Sequence, residues 1–290
     1  MYKKRIARID DSICENADTY FEIASLSKTL YAYCVIALAK EGIINLDQPL
    51  SEYAPKCSVS TDKRAQRITA RHILYHASGL MNWEDQSDKT ICFEPGQAFQ
   101  YSGEGYFYLQ QCIQSITALS FQNLLDCYIN LPLGTGMASR FENIPVGKQF
   151  ADPCEGDEAY DPIRQENAAY SVYATARDYA AFLRMIFVDG ASAAMAESFV
   201  PVNADVRWCL GFGLLKERYA FQYGDNGDYQ ALYYVDIPTR RVWLRLSNSQ
   251  YGLMEATQEI DCSEVRSGIT SFLKLQYGED YACLTEHSAM

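Results

Sequence analysis

Phe21-Glu22-Ile23-Ala24-Ser25-Leu26-Ser27-Lys28-Thr29 reads as a strand that ends in a tight entry to an apolar helix, with Ser25 in its first turn. Leu26, Leu30, Cys34, Ala37 and Leu38 recur at helical spacing, and Ser25 offers a side-chain cap. Glu41-Gly42 stops the helix, since glycine takes the left-handed conformation freely. Lys28 follows Ser25 by three residues, so both side chains project from one face, a turn apart. A hydroxyl at a helix N-terminus beside an amine has the parts of an activated nucleophile. The free backbone N–H groups there point to where an oxyanion would form.

The Ser-x-x-Lys spacing is weak by itself, because it also occurs at Ser60/Lys63 and Ser271/Lys274. Ser60 sits in a polar, charged run and Ser271 in a late amphipathic segment, so neither has a buried approach. Composition bounds the rest. The chain has 290 residues, 48% of them hydrophobic, enough for one large domain of two interlocked lobes. A net charge of -12 argues against nucleic acid, since phosphate binding needs a basic face. No apolar run approaches the ~20 residues that span a bilayer. The basic start, Met1 to Arg8, has no apolar core or cleavage site after it and does not read as a signal peptide. Ten cysteines are scattered without paired spacing, as free thiols in a reducing compartment would be, and the cytoplasm is expected. The 22 tyrosines read as core and rim packing.

Along the chain, Arg5 to Ile9 reads as one strand, followed by a turn at Asp10-Asp11 and extension again at Thr19 to Phe21. Thr69 caps a short helix that Gly79 ends. His72 and His76 lie four apart, but Ile73 stands where a zinc-peptidase helix needs glutamate and no third ligand is evident, so both read as structural. Helices are expected over Tyr106 to Leu119 and Phe121 to Tyr128, with the pattern broken over Pro132 to Met137. Residues 142 to 167 look like a surface excursion, and Thr175-Ala176-Arg177-Asp178 fits a capping box opening a helix through Phe187. From Trp208 the period becomes that of strands: Leu210 to Leu215, Ala220 to Tyr223, Gln230 to Val235 and Arg241 to Ser247. Residues 253 to 276 read as one amphipathic helix. The order predicts an α+β fold, an antiparallel sheet flanked by helices with a helical lobe. Residues 1–45 and 205–290 would form the sheet lobe and 46–204 the helical one, with a ligand cleft at their seam.

At this point the chain resembles the serine β-lactamase-related proteins, which group class C β-lactamases, penicillin-binding carboxypeptidases and esterases (family VIII type) on the β-lactamase/transpeptidase-like fold. The blocks that carry the resemblance begin with Phe21 to Lys28, Ile68 to Leu74, Ser78-Gly79-Leu80 and Pro95-Gly96 with Tyr101-Ser102. Pro132-Leu133-Gly134-x-Gly136-Met137, Ala174 to Asp178 and Leu210-Gly211-Phe212-Gly213-Leu214 follow in the family's order. The resemblance implies that Ser25 attacks a carbonyl and becomes acylated. Lys28 would be the nearby amine, and Tyr101 the phenol that shares or relays the proton. Free lysine and tyrosine both titrate near pH ~10, so one of them must be shifted to act near neutrality, and the sequence leaves open which. No cofactor and no metal are implied.

Three departures stand out. The family's Tyr-x-Asn reads Tyr101-Ser102-Gly103, which removes the amide that helps hold the lysine and the substrate; a literal Tyr-x-Asn at Tyr128-Ile129-Asn130 falls at a helix end and reads as chance. The Lys/His-x-Gly strand motif reads Gln222-Tyr223-Gly224, followed by Asp225-Asn226-Gly227. In that register the oxyanion donors are the backbone N–H groups of Ser25 and Asp225, and Gly103, Gln222, Tyr223, Gly224 and Asn226 line the substrate. A register three residues later puts Asp225 at the basic position instead. Either removes the cation that binds a β-lactam or peptide carboxylate, a loss of roughly 1.5–3 kcal/mol. Only eighteen residues precede Thr19, so the sheet is expected to lack a strand or two and to offer an edge for a second copy. The leading expectation is a serine hydrolase acting through an acyl-enzyme on a small ester or amide without a required carboxylate. A β-lactamase or D-alanyl-D-alanine carboxypeptidase is one alternative. An inactive relative that binds a ligand or partner in the cleft is the other.

Overall fold

The computed structural model describes residues 4–10, 13–154, 160–188, 190 and 193–278. The turn read at Asp10-Asp11, the first residues of the basic N-terminal run and residues 155–159 of the excursion fall outside these in whole or part. Eight strands make one antiparallel sheet: β1 (Ile6–Asp10), β2 (Ile13–Glu15), β5 (Val200–Pro201), β6 (Val206–Trp208), β7 (Gly213–Leu215), β8 (Tyr219–Asp225), β9 (Gln230–Asp236) and β10 (Arg241–Ser247). Their order is β2-β1-β10-β9-β8-β7-β6-β5. β3 (Tyr20–Glu22) and β4 (Tyr173–Thr175) form a separate pair. β1 pairs antiparallel with β10, with Ile6 opposite Ser247. Arg241 ties that pairing by donating to both carboxylate oxygens of Asp10.

The sheet is covered on both faces, which is why its central strands are buried nearly throughout. Strand alternation sends Ala231, Tyr233 and Val235 to one face, in the core that holds Leu30, Tyr31 and Tyr179. Leu232 and Tyr234 go to the other, against Leu253, Ile269 and Phe272. The mixed α+β expectation is met. So is the expectation for the tyrosines: Tyr20, Tyr31, Tyr106, Tyr173, Tyr179, Tyr229 and Tyr233 are all fully buried.

Several local expectations change. Two strands, β1 and β2, precede Thr19 where one was expected. Leu210–Leu215 is not one strand, because residues 209–212 turn between β6 and β7. The expected helix at 253–276 is two, Gly252–Glu259 and Ser263–Tyr277, broken where Ile260 goes extended and is wholly buried. Thr69 caps as expected, but that helix ends at Leu74, short of Gly79, and His76 is left-handed at φ 54°. The helix expected over Phe121 to Tyr128 runs on through a widened π turn, Asp126–Asn130, to Leu133, and the break expected in the Pro132 to Met137 stretch falls at left-handed Gly134. The helix expected from Tyr106 begins at Gly103, because Ser102 caps it. The described part of 142–167 is not all surface, since Ala151 is fully buried and Phe150 and Tyr160 pack on Tyr229.

Candidate active site

Ser25 lies in a 3-10 turn, Ala24–Leu26, ahead of the helix Ser27–Lys40. It is not the helix cap that the sequence suggested. Tertiary contacts shape the turn instead. Ala24 is held at φ 47°, a strained value for a side-chain-bearing residue. Ser27 Oγ donates to the Ala24 carbonyl (2.6 Å) and accepts from Val172 N (3.1 Å). β8 presses on the turn from the other side. A Cβ added to Gly224 would lie 2.6 Å from the Ile23 carbonyl oxygen and 3.0 Å from Ser25 N, so only glycine allows this approach. A Cβ on Gly227 would meet nothing within 4 Å. Gln222-Tyr223-Gly224 is therefore the segment at the turn, and Asp225-Asn226-Gly227 leads away from it.

Lys28, one turn on, is fully buried and donates to Ser25 Oγ (2.8 Å) and to the Ala169 carbonyl (2.9 Å). Burial pulls its ammonium down to about 7. No carboxylate among the described residues pairs with it; its other near neighbours include the faces of Tyr101 (4.9 Å) and Tyr106 (5.7 Å). Those faces favour the cation, but by less than desolvation disfavours it. Tyr101 moves the other way. Burial raises its phenol, opposed by Ser25 and then Gln222 beside it. Its hydroxyl makes no hydrogen bond of good geometry, and neither does the amide nitrogen of fully buried Gln222. Two unsatisfied buried polar groups beside one half-buried serine hydroxyl mark a site shaped for a ligand.

His76 supports this arrangement, a role that its sequence position did not signal. Its ring stacks on Tyr101 (4.1 Å between centroids), and its Nδ1 accepts from Ser102 N (3.0 Å). Burial, helped by Lys28, holds its titration well below the usual range, so it stays neutral. His72 Nδ1 accepts from Thr69 N in a capping box. Both histidines serve backbone groups, and no cluster able to hold a metal occurs among the described residues.

The cleft over Ser25 holds about 800 Å3. Asn82, Trp83, Phe99 and Tyr101 line one side, and Tyr223, Asp225 and Tyr277 the other. Tyr101, Gln222, Tyr223, Gly224 and Asp225 thus gather around Ser25 and Lys28. Asn226 does not join them: its amide donates to Glu22 Oε2 (2.7 Å) and sits outside the lining. Asp225 is engaged, accepting from Gly227 N (2.8 Å) and from the Tyr277 hydroxyl (2.9 Å). Gly103 is buried under Trp83, which the sequence reading did not single out. The other Ser-x-x-Lys pairs are elsewhere. Ser60 bonds Asp88 in an exposed turn, and Ser271 and Lys274 are exposed on the last helix. Tyr128 and Asn130 bond Glu41 and Met137 respectively, away from the cleft.

Fold and site together define the class, a β-lactamase- and penicillin-binding-protein-like serine hydrolase scaffold. The profile of the family described as Beta-lactamase matches residues 7–261, and the chain belongs to that family. Penicillin-binding protein 4* of Bacillus subtilis (strain 168) is 28% identical over 139 residues, 40% of this chain and 30% of that protein. The chain matches less than a third of that relative's length. Among solved structures, the penicillin binding protein from Bacillus halodurans superposes with TM-score 0.72 at 15% identity, over 89% of this chain and 95% of that one. The octameric penicillin-binding protein homologue from Pyrococcus abyssi gives 0.69 at 19% identity, over 85% and 69%. No helix among the described residues is long and apolar enough to cross a membrane.

Proposed function

We propose that this chain hydrolyses a small ester or amide through an acyl-enzyme on Ser25, without requiring a carboxylate on the substrate. The observation that carries the reading is the 2.8 Å contact between Ser25 Oγ and an amine with no acidic partner among the described residues, held near pH 7 by burial. As the neutral amine, Lys28 takes the Ser25 proton while Oγ attacks the carbonyl carbon. The oxyanion forms beside the backbone N–H groups of Ser25 and Asp225. The amine, or Tyr101 acting for it, returns the proton to the leaving group. Water then attacks the ester and Ser25 recovers its proton. The opposite shifts of the two groups support Lys28 as the base and Tyr101 as a proton-bearing relay.

The neutral Gln222 is what argues against a β-lactamase or D-alanyl-D-alanine carboxypeptidase, and nitrocefin turnover well above background would reverse that order. Gln222 and Gly103 also favour a second reading, a relative that binds in the cleft without turnover. An activated ester such as p-nitrophenyl acetate distinguishes them. A burst with an acetyl adduct on Ser25, absent in Ser25→Ala, is the expected result; an intact chain with no added mass overturns the hydrolase reading. Cys14, Cys34, Cys57, Cys92, Cys112, Cys127, Cys209 and Cys262 are free thiols, which supports a cytoplasmic setting. The three-residue edge strand β2 is the candidate surface for self-association, and light scattering reporting a monomer at high concentration would remove it.

A further inference from the structure

Position 103 lacks a side chain, and an indole fills the space. A Cβ on Gly103 would lie 2.1 Å from Cζ2 and 2.5 Å from Cε2 of Trp83. The loop that brings Trp83 there is fastened to the start of the helix Gly103–Thr117. Ser102 Oγ donates to the Met81 carbonyl (2.7 Å), Gly103 N to Asn82 Oδ1 (2.8 Å) and Glu104 N to the Asn82 carbonyl (2.9 Å). Lys89 then clamps the loop's far end, donating to Glu104 Oε1 (2.7 Å) and to the Glu84 carbonyl (2.6 Å). The indole meets Tyr170 edge-on at 5.8 Å. Trp83 borders two cavities. One is the Ser25 cleft; the other, about 430 Å3, is lined by Lys89, Glu104, Gln111, Asn167 and Tyr170 among others.

We propose that Trp83 is a specificity-determining partition, one that separates the Ser25 cleft from the polar pocket behind it and restricts Ser25 to short or flat acyl groups. The inference rests on the acyl-enzyme reading above, since that reaction is what the wall sorts. The physical argument is one of occupied volume. An extended acyl chain running from the Ser25 carbonyl toward the second pocket meets the indole, which is 48% exposed but is backed edge-on by Tyr170 and carried on a loop fastened to the start of the helix. Gly103 belongs to the same device, because any side chain there displaces Trp83. At this position the cleft is met by the apolar face of the indole. That face suits a flat acyl group and offers nothing to a polar one.

The test compares the native chain with Trp83→Ala on p-nitrophenyl esters whose acyl part grows from acetyl to N-acetylglycylglycyl, a polar extension suited to the second pocket. Removing the indole is expected to raise kcat/KM for the long ester relative to the short one by about tenfold or more, the discrimination that pocket volume commonly commands. Trp83→Phe should give an intermediate ratio, which guards against a misfolded Trp83→Ala. Calorimetry with the matching anilides on the Ser25→Ala protein, with and without Trp83→Ala, reads the same sorting without chemistry. A length profile that is the same with and without the indole, in turnover and in binding, overturns the partition even where Ser25 forms adducts. A profile that shifts in binding while Ser25 never acylates supports the partition and defeats the nucleophile reading. Gly103→Ala should lower Tm in the native chain but not in Trp83→Ala, and equal losses in both would equally overturn it.

Discussion

Replacing Lys28 with methionine should make the protein more stable at neutral pH and less stable at high pH. In the unfolded chain the lysine keeps its proton up to pH 10.5, whereas in the folded chain it lets go at about 7. Between those values the unfolded state binds more protons, so stability rises with pH across that window and is flat below it. The penalty for the buried amine is about 5 kcal/mol below pH 7, shrinks by about 1.4 kcal/mol for each pH unit above, and vanishes near 10.5. Methionine removes this penalty at similar length, but it leaves the Ala169 carbonyl without its donor inside the protein. Such an orphan costs about 1–3 kcal/mol. The variant should therefore gain about 3 kcal/mol at pH 7, match the native chain near pH 9 and fall below it by pH 10.

Urea denaturation of both proteins at pH 7, 8, 9 and 10 measures this directly, since every other titrating group cancels in the difference. A stability difference that stays constant over those four pH values would refute the reasoning, because it would mean the amine titrates alike in both states. The same amine sets a second readout. Acylation of the native chain by an activated ester should rise with pH about a midpoint near 7, as the neutral amine forms, and the methionine variant should lose that limb with the activity.

Gly224→Ala drives a methyl group to within 2.6 Å of the Ile23 carbonyl oxygen, so the Ser25 turn must shift. A stability loss of about 1–3 kcal/mol and an acylation rate down by about a hundredfold are expected from denaturation and burst kinetics. Tyr101→Phe removes a buried hydroxyl that has no hydrogen bond, so Tm should hold or rise slightly while acylation falls by about 10²–10⁴-fold. Gln222→Lys places a cation beside Tyr101 and should tighten carboxylate-bearing β-lactams by about tenfold to hundredfold, measured by competition against the ester. The added charge beside Lys28 should also move the acylation midpoint below 7.

What the sequence discloses about this molecule follows the range of the interaction involved. Ser25 and Lys28 are legible because three residues of one turn fix their spacing, and the Thr69 and Thr175 caps are legible for the same reason. β8 to β10 stand out as runs of aromatic and branched residues between turn formers. The exact form of the Ser25 turn was not legible, because Val172 and Gly224 impose it from more than a hundred residues away. His76 reads as a structural histidine, and so it is, but nothing local reveals that the residue it braces is Tyr101. The missing asparagine at 103 reads as a loss when the chain is taken alone. In three dimensions a residue twenty positions earlier fills the space, and the loss becomes a substitution between unlike chemistries.

That distinction bears on how the two unusual positions relate. Gln222 sets a neutral amide beside Tyr101, and Trp83 sets an indole over Gly103, so neither supplies the polar grip that a carboxylate-bearing amide would need. Neither touches the serine–lysine contact or the glycine that shapes the turn. A costly feature of the cleft is the buried amine, which has no carboxylate partner among the described residues and costs about 5 kcal/mol of stability in acid and at neutrality. The proposed acyl transfer accounts for that cost, since a neutral amine beside Ser25 is the base it needs, whereas Gln222 and Trp83 bear on recognition alone.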